Sequence, residues 1–224
     1  MLFLKKIVGQ QLNIDDLTLD MFAIWGKSLG KLHAAAQSYT GVGRPTWQQH
    51  LTECTQNIPA SELAAHRVIT NVRTQLNALP QTPDTFGLIH FDFELDYLLW
   101  TPQGITSIDF DDSAWYWFSA DIAFALRDLF DDNFRRVDTN SQPFRVFMEG
   151  YRAERDISAA EIAQLPLFLM LHHVLSFAKI LRALKPTPSL DGPSLEEPQW
   201  AETLRQKLES IARAYRSEFI HYTR

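Results

Sequence analysis

The sequence predicts a mainly α protein with one small β-hairpin, an α+β fold in which helices dominate. Three observations carry this expectation. Apolar residues recur at three- and four-residue steps, as in Leu17, Met21, Ile24, Trp25, Leu29 and Leu32. At Thr101-Pro102-Gln103-Gly104, Pro and Gly stand between two short apolar segments, the mark of a hairpin connection. The composition, 46% apolar and 21% charged, is that of a globular chain. Its 224 residues suffice to bury a substantial core, as one large domain or two small ones.

Residues 1–12, MLFLKKIVGQQL, alternate too poorly to define a strand, although Leu2-Phe3-Leu4 and Ile7-Val8 suit extended backbone and Gly9 interrupts them. From Asp15 or Asp16 an amphipathic helix follows, with aspartates at its start complementing the helix dipole. Gly26 and Gly30 weaken that helix intrinsically but flank its apolar face, so close packing against another helix would account for them. His33, near its end, reads as a satisfied core or capping residue. Ser38 to Pro45 is a loop, and its Gly41-Val42-Gly43 lacks the remaining residues of a phosphate loop. Thr46 to Cys54 is a short helix. Pro59-Ala60-Ser61-Glu62 opens another, which runs to about Leu79 and is ended by Pro80.

The stretch from Gly87 to Leu126 organises the rest. Leu88 and Ile89 deliver His90 and Asp92 to a strand end; Leu98 to Trp100 and Ile105 to Ile108 form the hairpin, which ends on Asp109, Phe110, Asp111 and Asp112. A hairpin returns the chain close to where it left, so Asp92 and Asp109 should emerge on one side. Two carboxylates meeting there suit divalent-metal and phosphate chemistry. A single aspartate at a strand end marks only a solvated turn; the ordered set is the informative feature.

Trp115 to Phe118 should anchor to the core, followed by a helix capped by Ser119 from Ala120 to about Leu129. Asp131, Asp132 and Asp138 around Arg135 and Arg136 read as a mutually paired surface loop. Pro143 to Arg152 is a helix. Ser158-Ala159-Ala160-Glu161 fits a capping box and opens a long helix to about Leu184. Its adjacent His172 and His173 point about 100 degrees apart, so they form no paired metal site; one is expected to be buried and the other turned to a groove. Lys185 to Pro198, with four prolines, connects to a last helix from Trp200 to Tyr222.

Charge and cysteine content narrow the function. A net charge of −6 and a pI near 5.6 argue against a nucleic-acid backbone partner, which would need a basic face. Cys54 stands alone, so no internal disulfide forms, and it reads as an inert packed thiol. No uninterrupted apolar run approaches the length of a membrane span, and the apolar residues at the start precede the lysines, the reverse of a secretory signal. A cytoplasmic protein with no nucleic-acid or membrane partner is expected.

His90, Asp92, the hairpin, the Ile108-Asp109-Phe110-Asp111 run and Asp121-Ile122-Ala123 follow one another in an order that resembles the aminoglycoside phosphotransferase and choline kinase-like family, distant relatives of protein kinases. That family carries His-x-Asp-x-x-x-x-Asn, a hairpin, Ile-Asp-Phe/Trp-Asp/Glu and an Asp-Leu-Ala-type helix start. The resemblance covers nearly the whole chain. It implies a protein-kinase-like C-terminal lobe over 13–224, with the catalytic loop and metal-binding hairpin at 87–112. Asp92 would be the catalytic base, His90 a brace for its loop, Asp109 a Mg2+ ligand and Asp121 a structural residue hydrogen-bonded to the catalytic loop. Gly26 to His33 matches a packing helix of that lobe. Residues 1–12 would be the hinge, where Leu2, Phe3 and Leu4 meet the adenine of ATP.

The family's asparagine falls on Tyr97, and a phenol is a poor Mg2+ ligand. Asp96 is the candidate substitute, with Asp111 a further candidate ligand. No Gly-rich strand-turn-strand and no strand lysine precede the core, so the expected lobe lacks its nucleotide-binding N-terminal partner, through truncation or through loss. Two functions follow from the resemblance. One is an ATP-dependent phosphotransferase acting on a small-molecule alcohol, represented by its C-lobe. The other is a non-catalytic pseudokinase lobe that binds or dimerises, with a second copy or a missing N-lobe covering its cleft. The acidic Glu149, Asp191, Glu196 and Glu197 could meet a cationic substrate but read more simply as solvated charges.

Overall fold

A computed structural model describes residues 8–130, 137–185 and 199–223. Leu2, Phe3 and Leu4, the charged loop residues Asp131, Asp132, Arg135 and Arg136, and the acidic Asp191, Glu196 and Glu197 lie outside the described residues. The chain forms two compact units, one of Met1–Trp47 with Pro80–Leu169, the other of Gln48–Leu79 with Met170–Arg224. The expected mostly helical fold with a small β component is what the structure has.

In the first unit, a 3-10 turn at Ile14–Asp16 precedes helix α1, Leu19–Ala36. The helix starts later than Asp15 because Thr18 is its cap: the Thr18 hydroxyl accepts from the Met21 N–H at 3.4 Å. Helix α1 packs along α5, Gln142–Arg152, and here the glycines are explained. A Cβ on Gly26 would stand 1.9 Å from the Phe147 carbonyl oxygen, and one on Gly150 would stand 2.0 Å from that of Ala23. The two backbones touch where a side chain would part them. Gly26→Ala gains about 1 kcal/mol of helix propensity. Forcing the helices apart outweighs that, and a net loss of about 2 to 4 kcal/mol is expected, read as a lower urea midpoint at unchanged slope.

Strand β1, Phe86–Ile89, pairs antiparallel with β4, Ala114–Trp117. The second strand was read from sequence only as an aromatic run. Its Tyr116 and Trp117, and Phe118 after them, are buried, as expected of core anchors. Between them lies the expected hairpin, β2 at Leu98–Thr101 against β3 at Gly104–Ser107, with Leu98 opposite Ser107. Gly104 takes φ 125° at the turn, a conformation that glycine alone adopts freely. Gln10 pairs with Trp100 on this hairpin through two 2.9 Å backbone hydrogen bonds, so residues near 10 are extended.

Helix α4, Phe118–Ala125, follows β4 directly and is buried on every side, an all-round apolar helix of the core. Ser119 is not its cap: the cap position is Trp117, whose side chain makes no capping bond, and the Ser119 hydroxyl donates to Gln164 Oε1 at 3.4 Å. With the strand running straight into the helix, Ser119 falls inside the first turn. The capping box at Ser158 and Glu161 forms as expected, but it opens only the short α6, Ala159–Ile162. Helix α7, Leu165–Ala183, begins anew beyond it, with Pro166 in its first turn where the missing N–H costs nothing. The stretch Ala159–Ala183 has the length and apolarity of a membrane span, yet about half of its most apolar part is buried inside the protein, as in a core helix.

The regular elements described in the second unit are all helices: most of α2 (Trp47–Asn57), α3 (Leu63–Ala78), the later part of α7, and α8 (Gln199–Tyr222). Both His172 and His173 are half-buried, rather than one buried and one in a groove. His173 Nδ1 lies 3.4 Å from Glu218 Oε2 and its ring meets Tyr215 edge-on. Cys54 is buried, its Sγ–H donating to the Val174 carbonyl at 3.3 Å, and burial pushes its thiol up to about 12. A thiolate is the reactive form, so Cys54 should resist a thiol reagent in the native protein and react only in denaturant. A thiol count of one without denaturant would contradict this.

Candidate catalytic loop and carboxylate site

Every described candidate residue belongs to the first unit. Strand β1 ends at Ile89, and the chain turns at once: Phe91 takes φ 78°, a left-handed conformation rarely adopted by a bulky side chain. The surrounding structure holds it there. The backbone N–H of His90 donates to Asp121 Oδ2 at 3.0 Å and that of Phe91 to Asp121 Oδ1 at 2.9 Å. The Phe91 side chain is buried against Tyr116 and Phe124, with ring centroids 5.5 and 5.1 Å away. One carboxylate in the first turn of α4 thus grips the two peptide groups immediately before Asp92. Trp25 Nε1–H donates to the Phe93 carbonyl at 3.3 Å, so α1 holds the residue immediately after it.

Beyond Phe93, Glu94 forms an ion pair with Arg127, in the 3-10 turn that follows α4. Leu95–Tyr97 is a 3-10 turn, and the Tyr97 carbonyl accepts from the Ile108 N–H at 3.0 Å. That bond joins the loop to the end of β3, one residue before Asp109. Asp109 is the second left-handed non-glycine residue, at φ 62°, and its Oδ1 accepts from the Asp111 N–H at 3.3 Å. Among the described residues, the two non-glycine positions with this backbone sit in the segments that carry the candidate carboxylates. Strain concentrated in this way accompanies functional sites when the surroundings enforce it.

The Tyr97 phenol reports what these segments bring together. Its pKa is raised, first by loss of solvation and then by the negative charges of Asp92, Asp109, Asp112 and Asp96. The charges of Asp92, half-buried, and of Asp109, exposed, are thus both felt at Tyr97. Asp96 and Asp111 are exposed; the Asp96 carbonyl accepts from Gln11, and that of Asp111 accepts from Arg44 Nη1 at 2.8 Å. Among the described residues no three His, Cys, Asp or Glu side chains converge as a metal cage. Mg2+ needs no such cage, since it keeps several waters and binds one or two carboxylates together with substrate phosphates. Hard oxygens at Asp109 and its neighbours fit that demand.

His90 is buried, its ring 4.4 Å from that of Phe110 and 5.5 Å from that of Phe93. Burial lowers its pKa, against the opposing pull of Asp121, the Ile108 backbone and Asp109. Among the described residues neither ring nitrogen meets hydrogen-bond geometry with a protein group, so the contacts of His90 are the packing of its ring and the bond from its backbone N–H to Asp121.

Sequence reasoning gave His33 no part in this site. Its Nε2 lies 3.0 Å from Asp121 Oδ2 and its Nδ1 2.9 Å from the Tyr151 hydroxyl, all fully enclosed. The Gly-x-x-Leu-Gly-x-Leu-His pattern was the available signal; nothing local signals Tyr151 or the Glu94–Arg127 pair. Burial is the largest influence on the His33 pKa and lowers it, so this contact is a hydrogen bond from a neutral imidazole. The sign of the pH effect follows. Unfolded, His33 takes up a proton below about 6.5, which the folded protein refuses. Its contribution to stability is complete above that value and is lost as pH falls through the window beneath it, by up to about 1.4 kcal/mol per pH unit. Urea unfolding between pH 7 and pH 5 should show this slope in the wild type and a shallower one in His33→Gln.

Comparison with known proteins places the chain among relatives. The sequence matches the phosphotransferase enzyme family over residues 3–160. It is 25% identical over 185 residues to the amicoumacin kinase of Bacillus subtilis, covering 77% of this chain and 54% of that protein. The chain thus spans about half the length of the curated relative it matches. Among solved structures, an amicoumacin kinase in complex with AMP-PNP, Ca2+ and Ami superposes with a TM-score of 0.70 at 22% identity, over 94% of this chain and 64% of that one. A microcompartment-associated aminopropanol kinase does so with a TM-score of 0.62 at 26% identity, over 97% and 67%. A family match that contains the whole of the Asp121-held loop, together with this shared fold, leads to one conclusion: the chain belongs to the phosphotransferase enzyme family, the aminoglycoside phosphotransferase and choline kinase-like group that its ordered motifs resemble.

Proposed function

We propose that this chain carries the catalytic-loop and metal-ligand part of an ATP-dependent phosphotransferase that acts on a small alcohol. The observation that carries the proposal is the Asp121 carboxylate holding the His90 and Phe91 N–H groups while the charges of Asp92 and Asp109 are both felt at Tyr97. The names of the relatives, kinases of amicoumacin and of aminopropanol, support a small-molecule acceptor.

In this reading Asp92 orients the acceptor hydroxyl and takes its proton as the oxygen bonds to the γ-phosphorus and ADP leaves. Asp109 would hold Mg2+, which would neutralise charge on the phosphates when bound. The anchored backbone on either side of Asp92 keeps its carboxylate in place, so little ordering remains to be done at the moment of reaction. The test is to incubate the protein with Mg-ATP and a panel of amino alcohols and polyols and to follow transfer by 31P NMR. A phosphorylated alcohol is expected; ADP formation no faster than in buffer, with every acceptor, would overturn the reading.

A second reading rests on Tyr97 itself. A phenol at the family's asparagine position, a poor ligand for a hard cation, favours a lobe that binds without catalysing. Tyr97→Asn separates the two. A gain of Mg2+ binding by calorimetry, absent in the wild type, would favour the non-catalytic lobe. Equal Mg2+ binding in both proteins would favour the enzyme.

A further inference from the structure

We infer that Tyr151 and Arg155 are positioning residues for the catalytic loop: they hold His33 in its Nε2–H tautomer, and through it the Asp121 carboxylate that grips the His90 and Phe91 amides. The inference rests on the reading of 90–97 as a catalytic loop, and it extends the machinery to α5 and the turn beyond it.

The direction of each bond follows from what each group can do. The Arg155 guanidinium only donates, so its Nη1–H, 3.2 Å away, gives a hydrogen bond to the Tyr151 oxygen. Asp121 Oδ2 only accepts, so the His33 nitrogen 3.0 Å from it carries the proton. A neutral imidazole has one N–H, which leaves Nδ1 as an acceptor, and the donor 2.9 Å from it is the Tyr151 O–H. Burial keeps both states in place: it lowers the pKa of His33, helped by the Arg155 charge, and raises that of Tyr151, so the phenol retains its proton. The chain of donation runs one way, from Arg155 through Tyr151 and His33 to Asp121. It ends on the carboxylate that also receives the two loop amides.

Arg155 is fixed in turn by elements flanking the site. Its Nη2 donates to the Asp84 carbonyl, just before β1, and its Nη1 lies 3.5 Å from the Asp156 carbonyl. Its guanidinium carbon sits 4.1 Å from the centre of the Phe118 ring, at the start of α4. Among the described residues it makes no ion pair, so carbonyls, a hydroxyl and an aromatic face hold a nearly buried charge. The guanidinium thereby spans the start of β1, which leads to His90, and the start of α4, whose first turn bears Asp121. A lost link would be felt first at the loop amides.

Tyr151→Phe tests this, since it removes one hydroxyl and keeps the ring packing. Two readouts on the full chain need no activity: the 15N resonances of the His33 ring, and amide hydrogen exchange at His90 and Phe91 with Leu29 of α1 as reference. The expected result is altered His33 ring resonances and exchange at His90 and Phe91 about tenfold faster, with Leu29 unchanged. Exchange at the two loop amides that stays at the wild-type rate, or that rises only in step with Leu29, would overturn the inference. Should Tyr151→Phe fail to fold, Arg155→Met and Arg155→Lys decide the matter. The methionine variant should speed loop exchange and the lysine variant, which keeps a donor for Tyr151, should restore it; equal rates in both would overturn the inference. Absence of phosphoryl transfer in the wild type would count against the enzyme reading alone and leave these readouts intact.

Discussion

Asp92→Asn is expected to lower the rate of phosphoryl transfer by about 10² to 10⁴-fold, with little change in stability. The amide keeps the shape of the carboxylate but cannot take the hydroxyl proton. Because the loop is held by backbone bonds to Asp121 and by Trp25, the substitution should leave its conformation intact. Asp109→Asn should behave differently. It weakens a hard-cation ligand, so activity should fall at low Mg2+ and recover in part as Mg2+ is raised, which Asp92→Asn should not do. A Mg2+ titration of initial rates in both variants distinguishes the roles. Full activity in either variant would remove that residue from the assignment.

Asp121→Ala should be the most destabilising substitution in the first unit. Its carboxylate accepts three hydrogen bonds, from the His90 N–H, the Phe91 N–H and the His33 Nε2–H, in a fully enclosed site. Alanine leaves three donors buried without an acceptor, and Phe91 loses the bond that holds it at φ 78°. Breaking such a buried charged contact costs about 3 to 5 kcal/mol, a large part of the stability of an ordinary domain. Chemical denaturation would register it, and exchange at the two loop amides should rise further than at α1. A loss below about 1 kcal/mol would mean that water replaces the carboxylate.

Much of this protein was legible in its sequence because the signals are local. The periodic apolar residues of α1, α3, α5 and α8, the capping box at Ser158 and the Pro-Gly turn of the hairpin each act within a few residues. Asp92, Asp109 and Asp121 were recognisable by their order along the chain. The errors share a cause. Strand β4 was missed because Trp115 to Phe118 do not alternate: strand residues packed in a core lose the polar half of their pattern. The Ser119 cap failed because β4 enters α4 without a loop, and the single long helix failed at a break between α6 and α7 that the capping box could not reveal.

The sequence by itself determined the family and the helical character of the chain, and it pointed to the carboxylates proposed for the site. It also indicated, through Gly26 and Gly30, that two helices approach closely, since only a missing Cβ makes such residues useful in a helix. The tertiary structure alone decided that Gly150 is the reciprocal contact on α5. It also decided that Phe91 and Asp109 are held in left-handed backbone, that Glu94 pairs with Arg127, and that His33 and Tyr151 stand behind Asp121. The physical reason is distance along the chain. His33 lies 88 residues before Asp121 and 118 before Tyr151, and a hydrogen bond across that separation exists only once packing has closed the chain around it.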